Sequence, residues 1–156
     1  MKEINYIKGD ATNPEISGNK IIVHICNDIG GWGKGFVLAI SNKWKEPEKE
    51  YRNWFKSKNN FELGKVQLVE VEKDTWIANL IGQHKINKDD LGNAPIRYDA
   101  IKKGLSDIIL FAKEKDASIH MPRIGCGLAG GKWELVEPII LETLSENNIS
   151  VTVYDF

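Results

Sequence analysis

Two glycine-dense stretches, Gly30-Gly31-Trp32-Gly33-Lys34-Gly35 and Gly125-Cys126-Gly127-Leu128-Ala129-Gly130-Gly131, hold eight of the chain's 14 glycines. Each lies between an apolar run of strand character and a run with helical spacing. Clustered glycine costs backbone entropy, so it belongs where the chain needs positive φ angles or unobstructed amides. A loop feeding a strand into a helix leaves bare N–H groups at the helix entrance. Those donors and the helix dipole both favour an anion. Two such loops on one small domain can hold both ends of a pyrophosphate or a phosphorylated sugar, which points to a nucleotide-like ligand.

The rest of the chain supplies the layers around these loops. Ile4 and Tyr6 alternate with polar residues in a first strand ending at Lys8-Gly9-Asp10. Lys20 to Cys26 contains Ile21-Ile22-Val23, a continuous apolar run typical of strands covered on both faces. Phe36, Leu38-Ala39-Ile40 and Trp44 suit a helix from Gly35 through Lys43. Pro47 opens a second helix carrying Tyr51, Trp54 and Phe55. Val66–Val71 and Thr75–Ile81 read as strands joined by a tight hairpin at Lys73-Asp74. Val69 and Val71 fall out of phase with Val66 and Leu68, which predicts a bulge near Leu68-Val69 or a strand buried on both faces. A polar, irregular segment from Gly82 to Ala94 follows. Ile101, Leu105, Ile108 and Ala112 then mark an amphipathic helix from Arg97 to Lys115. A short strand, Ser118–Met121, feeds the second glycine loop. The last helix covers Trp133 to Glu146, with Pro138 as a kink or delayed start. Ile149, Val151 and Val153 alternate in a closing strand near Tyr154. The order β, β, α, α, β, β, α, β, α, β predicts one α/β domain over residues 1–156, a three-layer α/β/α sandwich with a mixed central sheet.

Bulk properties narrow the function. The chain has 156 residues, enough to bury the core of a single domain. Its formal net charge of −1, from 21 basic and 22 acidic side chains, argues against broad binding to a nucleic-acid backbone. A local positive pocket remains compatible with that balance. No apolar run approaches the roughly 20 residues of a membrane span, and Met1-Lys2-Glu3 lacks a secretory h-region. A cytoplasmic protein without a membrane partner is expected. Cys26 and Cys126 show no metal-ligand spacing and read as small core residues rather than a disulfide. No metal and no cofactor are expected.

Three blocks stand in order along the chain: Lys8-Gly9-Asp10; Val23-His24-Ile25-Cys26-Asn27 followed by Trp32-Gly33-Lys34-Gly35; and Met121-Pro122-Arg123-Ile124-Gly125-Cys126-Gly127-Leu128, with Trp133-Glu134 soon after. In this order, and with an aromatic near the end, they resemble the macrodomain family of ADP-ribose-binding modules. The resemblance runs from Tyr6 to Tyr154. Within the family the chain is similar to the branch of the terminal ADP-ribose protein glycohydrolase and the yeast-type ADP-ribose-1″-phosphate phosphatase, the second loop being nearer the phosphatase.

The resemblance implies ADP-ribose or an ADP-ribosyl derivative as ligand, with ADP-ribosylated protein or nucleic acid as a further partner. It assigns Asp10 to the adenine amine, Ala11 to a backbone contact with the base, and Tyr154 to the adenine face. Gly125, Cys126, Gly127 and Leu128 would wrap the pyrophosphate, with Gly33, Lys34 and Gly35 opposite. Trp32 would lie near the distal ribose and Asn27 would contact its hydroxyls. On the residues alone, Asp10 ends a strand, Tyr154 is a core aromatic, Asn27 forms a local turn, and the loops are tight-turn chemistry.

Catalysis is less constrained. The glycohydrolase uses a lysine after a Leu-Ile pair and an aspartate after the Gly-Cys-Gly-Leu block; here those positions are Gln83 and Ala129. Gln83 cannot form a Schiff base and Ala129 has no acid–base group, so that mechanism is not expected. Near the distal site remain His24, Asn27, Asp28, Gln83 and His84. The catalytic reading is hydrolysis of a distal-ribose derivative (a 1″-phosphate, an O-acyl ester or a macromolecular linkage). Asn27 would position the ribose, and His24 or His84 would move protons. Against it, a strand histidine such as His24 is commonly a satisfied core residue, His84 reads as an exposed loop residue, and His120 as structural. Gln83 and Ala129 favour the alternative, a non-catalytic ADP-ribose reader. A third reading, an unrelated nucleotide- or RNA-binding domain, sits badly with the near-zero net charge.

Overall fold

Ile21-Ile22-Val23 lies in a strand buried on both faces, and that strand is the middle of the molecule. The computed structural model describes residues 2–156. Its elements are β1 (Asn5–Lys8), β2 (Lys20–Asn27), α1 (Phe36–Lys43), α2 (Glu46–Ser57), β3 (Val66–Glu72), β4 (Thr75–Gln83), α3 (Tyr98–Lys115), β5 (Ser118–Met121), α4 (Trp133–Thr143) and β6 (Val151–Asp155), with a short 3-10 turn at Ser145–Asn147. The strands form one sheet in the order β1-β6-β5-β2-β4-β3. All neighbours are parallel except β3, which pairs antiparallel with β4.

Alternation along β2 divides the core in two. Ile21 and Val23 join Leu80, Ile101, Leu105, Ile108, Val136 and Ile140 on the side covered by α3 and α4. Ile22 and Cys26 join Ile77, Trp32, Val37, Ile40, Trp44 and Tyr51 on the side covered by α1 and α2. Each fully buried aliphatic side chain contributes about 1.5–3 kcal/mol. The expected three-layer α/β/α architecture with a mixed sheet is therefore present. α3 approaches the sheet so closely at Gly104 that a Cβ there would collide with Leu80.

Three local details refine the sequence expectation. The register break in β3 lies between Glu70 and Glu72, not at Leu68-Val69. Val66 and Leu68 pack towards α3 while Val71 packs on the opposite side, so the phase slip reflects burial on both faces. β4 continues through Gly82 to Gln83, which bridges to Ile96. α4 stops at Thr143, whose hydroxyl donates back to the Ile139 carbonyl (2.7 Å) in competition with the helix ladder.

Because β1, β6, β5, β2 and β4 run in parallel, the loops leaving their C-terminal ends gather along one edge of the sheet. Open α/β sheets bind ligands at that edge.

Candidate functional site

Two cavities open along this edge. One, of about 540 Å³, is lined by Gly9, Asp10, Ala11, Thr12, Asn42, Lys43, Tyr154 and Phe156. The other, of about 370 Å³, is lined by His24, Ile25, Lys34, Gly35, Val37, Gln83, Arg123 and the following loop except Cys126. Both include Phe36 and Pro122, so they form one continuous cleft. Its dimensions suit an extended small molecule.

At the outer end, the turn after β1 is built by Asp10. One carboxylate oxygen, Oδ1, accepts from the Thr12 amide (2.8 Å) and the Thr12 hydroxyl (2.7 Å). Oδ2 has no partner among the described residues, and Asp10 lines the cavity. The Ala11 amide likewise donates to no acceptor among the described residues. Tyr154 forms part of the wall; its hydroxyl is 2.7 Å from His120 Nδ1, and His120 Nε2 is 2.7 Å from Ser118 Oγ. Exposed aromatic surface at this end comes from Phe156. Phe156 and Phe36 were missed by the sequence reading. The period-2 relation of Phe156 to Tyr154 is the signal that could have found the first.

In the middle, two loops with unpaired amides line the same cavity. α1 begins after Gly35, which has φ +84 and no side-chain cap. The amides of Lys34, Gly35, Phe36 and Val37 are unpaired among the described residues, and all four residues line the cavity. Across from them the amides of Gly127, Leu128 and Ala129 are also unpaired, while Gly130 and Gly131 close the loop by donating to the Gly127 and Gly125 carbonyls. A Cβ at Gly131 would strike the Gly125 carbonyl, so this turn admits only glycine there. Leu128 reaches across to Gly35, where a Cβ would come within 3.3 Å of it. Arg123 adds a cation at the lip, held by Asp155 through Nε (2.6 Å) and Nη2 (3.0 Å) and stacked over Tyr6 and Trp133. Cys126 turns away from the cleft, with Sγ donating to the Ile124 carbonyl, and Cys26 is buried; both are free thiols. Gly33 is open to solvent but outside the lining.

At the inner end several of the expected site residues make contacts within the fold. Trp32 does not line the cleft. It is 4 % exposed, donates Nε1–H to Ser41 Oγ (2.7 Å) and packs on Tyr51, so it is a core aromatic. Asn27 is outside the lining as well. Its Oδ1 accepts from the Ile29 and Gly31 amides and from the Tyr51 hydroxyl, and its Nδ2 donates to the Gly31 carbonyl. Those bonds spend the side chain on folding its own loop. His84 lies 2.7 Å from Asp28 and lines a separate cavity with Asp89 and Arg97, apart from His24. His24 alone of the three candidate catalytic residues borders the cleft. It is 1 % exposed, and burial pushes its pKa down to about 4. Gln83 borders the same end, with Nε2 donating to the Lys85 carbonyl. Among the described residues no cluster of three or more His, Cys, Asp or Glu could hold a metal ion, and no helix is long and apolar enough to cross a membrane.

The model of the Macro domain family matches residues 23–140. The chain belongs to the Macro domain family. It is 33 % identical over 162 residues to Chromodomain-helicase-DNA-binding protein 1-like of Mus musculus, covering 98 % of this chain and 18 % of that much longer protein. It is 25 % identical over 166 residues to an ADP-ribose 1″-phosphate phosphatase of Lodderomyces elongisporus, covering 97 % of this chain and 99 % of the other. Among solved structures, a macrodomain protein from Streptomyces coelicolor superimposes with a TM-score of 0.87 at 51 % identity, covering 99 % of both chains. The macrodomain fold expected from the sequence is the fold observed.

Proposed function

We propose that the cleft binds ADP-ribose or an ADP-ribosyl derivative. The observation that carries this is the pairing of two unpaired amide sets, Lys34–Val37 and Gly127–Ala129, across one cavity. Amides so arranged suit the oxygens of a diphosphate, with the α1 dipole and Lys34 adding to the attraction. The outer cavity then takes the adenosine. Asp10 Oδ2 accepts from the exocyclic amine, which hypoxanthine lacks, the Ala11 amide meets the ring edge, and Tyr154 and Phe156 supply apolar surface. The distal ribose lies at the inner end, towards Gln83 and His24.

A second reading, hydrolysis of a group on the distal ribose, draws support from the kinship with the Lodderomyces phosphatase. The inner end contributes little acid–base chemistry to it. Asn27 and His84 are engaged elsewhere, Gln83 and Ala129 carry no titratable group, and His24 is too weak a base to take a proton readily near neutral pH. A reader of ADP-ribosyl groups therefore fits the geometry better than an enzyme. Calorimetry with ADP-ribose, followed by incubation with 1″-phosphate, O-acetyl, protein-linked and nucleic-acid-linked derivatives, tests both. Binding without turnover is the expected result, and release of phosphate from ADP-ribose-1″-phosphate would establish the hydrolase instead.

A further inference from the structure

Alternation along β5 and β6 sends Ile119, Met121, Val151 and Val153 to the side covered by α3 and α4. His120 and Tyr154 therefore share the opposite face. His120 pairs across the strands with Thr152, which sets Tyr154 diagonally beside it, with ring centroids 5.7 Å apart. Both side chains are buried. The Tyr154 hydroxyl stands 2.7 Å from His120 Nδ1, and Ser118 Oγ stands 2.7 Å from Nε2. Ser118 also reaches the Asn19 carbonyl, at 3.5 Å. Burial, with the charge of Lys20, pushes the His120 pKa down to about 4, so the ring is neutral near pH 7. The chain of three side chains then holds three hydrogens, one on each hydroxyl and one on the imidazole. Among the described residues, only its Ser118 end has a carbonyl to take the last of them. The hydrogens thus run one way, from Tyr154 to Nδ1, from Nε2–H to Ser118, and from Ser118 to Asn19. The reverse order would leave the Tyr154 hydrogen with no acceptor among the described residues, which a buried hydroxyl avoids.

The same phenol ring lines the outer cavity of the cleft. The turn that carries Asp10 rests against it, since a Cβ at Gly9 would lie 3.6 Å from the ring. We propose that His120 is a positioning residue for this wall: its Nδ1 accepts the Tyr154 hydroxyl and holds the ring in place, with Ser118 fixing the imidazole tautomer. The inference rests on the outer cavity holding adenosine. His120 and Ser118 line neither cavity and touch no ligand, so they act on affinity only through Tyr154.

Imidazole proton–nitrogen NMR of the full chain, with calorimetry on variants, tests this. The expected spectrum of the free protein shows His120 protonated at Nε2 alone. Tyr154→Phe keeps the ring and removes its hydroxyl; His120→Gln keeps a partner for Ser118 and withdraws the acceptor from Tyr154. Each is expected to weaken ADP-ribose by about three- to tenfold, the size of one net hydrogen bond. The double variant should be no weaker than either single one, because both break the same contact. His120→Asn, which returns an acceptor near the place of Nδ1, should restore most of the loss. Ser118→Ala should admit the Nδ1–H tautomer and weaken ADP-ribose by about threefold. An Nδ1–H tautomer in the free wild type, losses that add in the double variant, or undiminished affinity in Tyr154→Phe overturns the inference and leaves the cleft reading standing. Absence of any heat when the wild type is titrated with ADP-ribose overturns both.

Discussion

Asp10 lines the cleft and commits one carboxylate oxygen to its own turn while the other has no partner among the described residues, and that division makes it separable from folding. In Asp10→Asn the Oδ1 atom can still accept from Thr12, while an amide would face the adenine amine in place of a carboxylate. The expected loss in ADP-ribose affinity is about 10- to 100-fold, since hydrogen bonds to charged groups are worth about 1.5–3 kcal/mol. Calorimetry should also show that discrimination against the hypoxanthine analogue disappears, with little change in denaturation midpoint. Trp32 makes the opposite prediction. Its indole is spent on Ser41 and Tyr51, so Trp32→Phe should cost about 1 kcal/mol in urea denaturation and leave ADP-ribose affinity within about twofold. A large affinity loss with unchanged stability would return Trp32 to the ribose.

At the scale of elements, the decisive feature is where α1 starts. Gly35 takes φ +84 at the helix entrance and lies under Leu128, so a larger residue there strains the backbone and crowds the opposite loop. Gly35→Val is expected to lower stability by about 1–3 kcal/mol and to weaken ADP-ribose by more than tenfold. Calorimetry on the folded fraction separates the two effects. The strands and helices were legible in sequence because periodicity and glycine placement encode them directly. The loops' closeness in space was legible too, since both leave the C-terminal ends of parallel strands. The direction of each loop side chain was not. Trp32 and Asn27 look like binding residues in the chain, but Gly30 and Gly31 let the loop fold back. That turns both inward, onto Tyr51 and Gly31. Such reversals depend on tertiary packing that no local pattern records. The phase slip in β3 fitted either an inserted residue or burial on both faces, and only the packing of Val66, Leu68 and Val71 decides for the second.

Across the whole molecule, the parallel sheet concentrates unpaired donors at one edge and buries two neutral histidines behind it. His24 and His120 both have pKa values pushed down by burial to about 4, with Lys20 adding to the shift at His120. In the unfolded chain a histidine titrates near 6.5, so between pH 6.5 and 4 the unfolded state binds more protons. Stability is therefore full above pH 6.5, falls as pH drops towards 4 and levels off below, by about 3 kcal/mol for each ring. Urea denaturation of wild type and His120→Gln between pH 7.5 and 4.5 checks the sign: the variant should show the shallower loss, and equal slopes would remove His120 from the account. The central claim concerns the opposed amides, and backbone amide NMR during titration with ADP-ribose addresses it most directly. The expected result is saturable shifts at Ala11, Lys34–Val37 and Gly127–Ala129 together. Binding that leaves those amides still and moves residues of the 84–97 segment would contradict it.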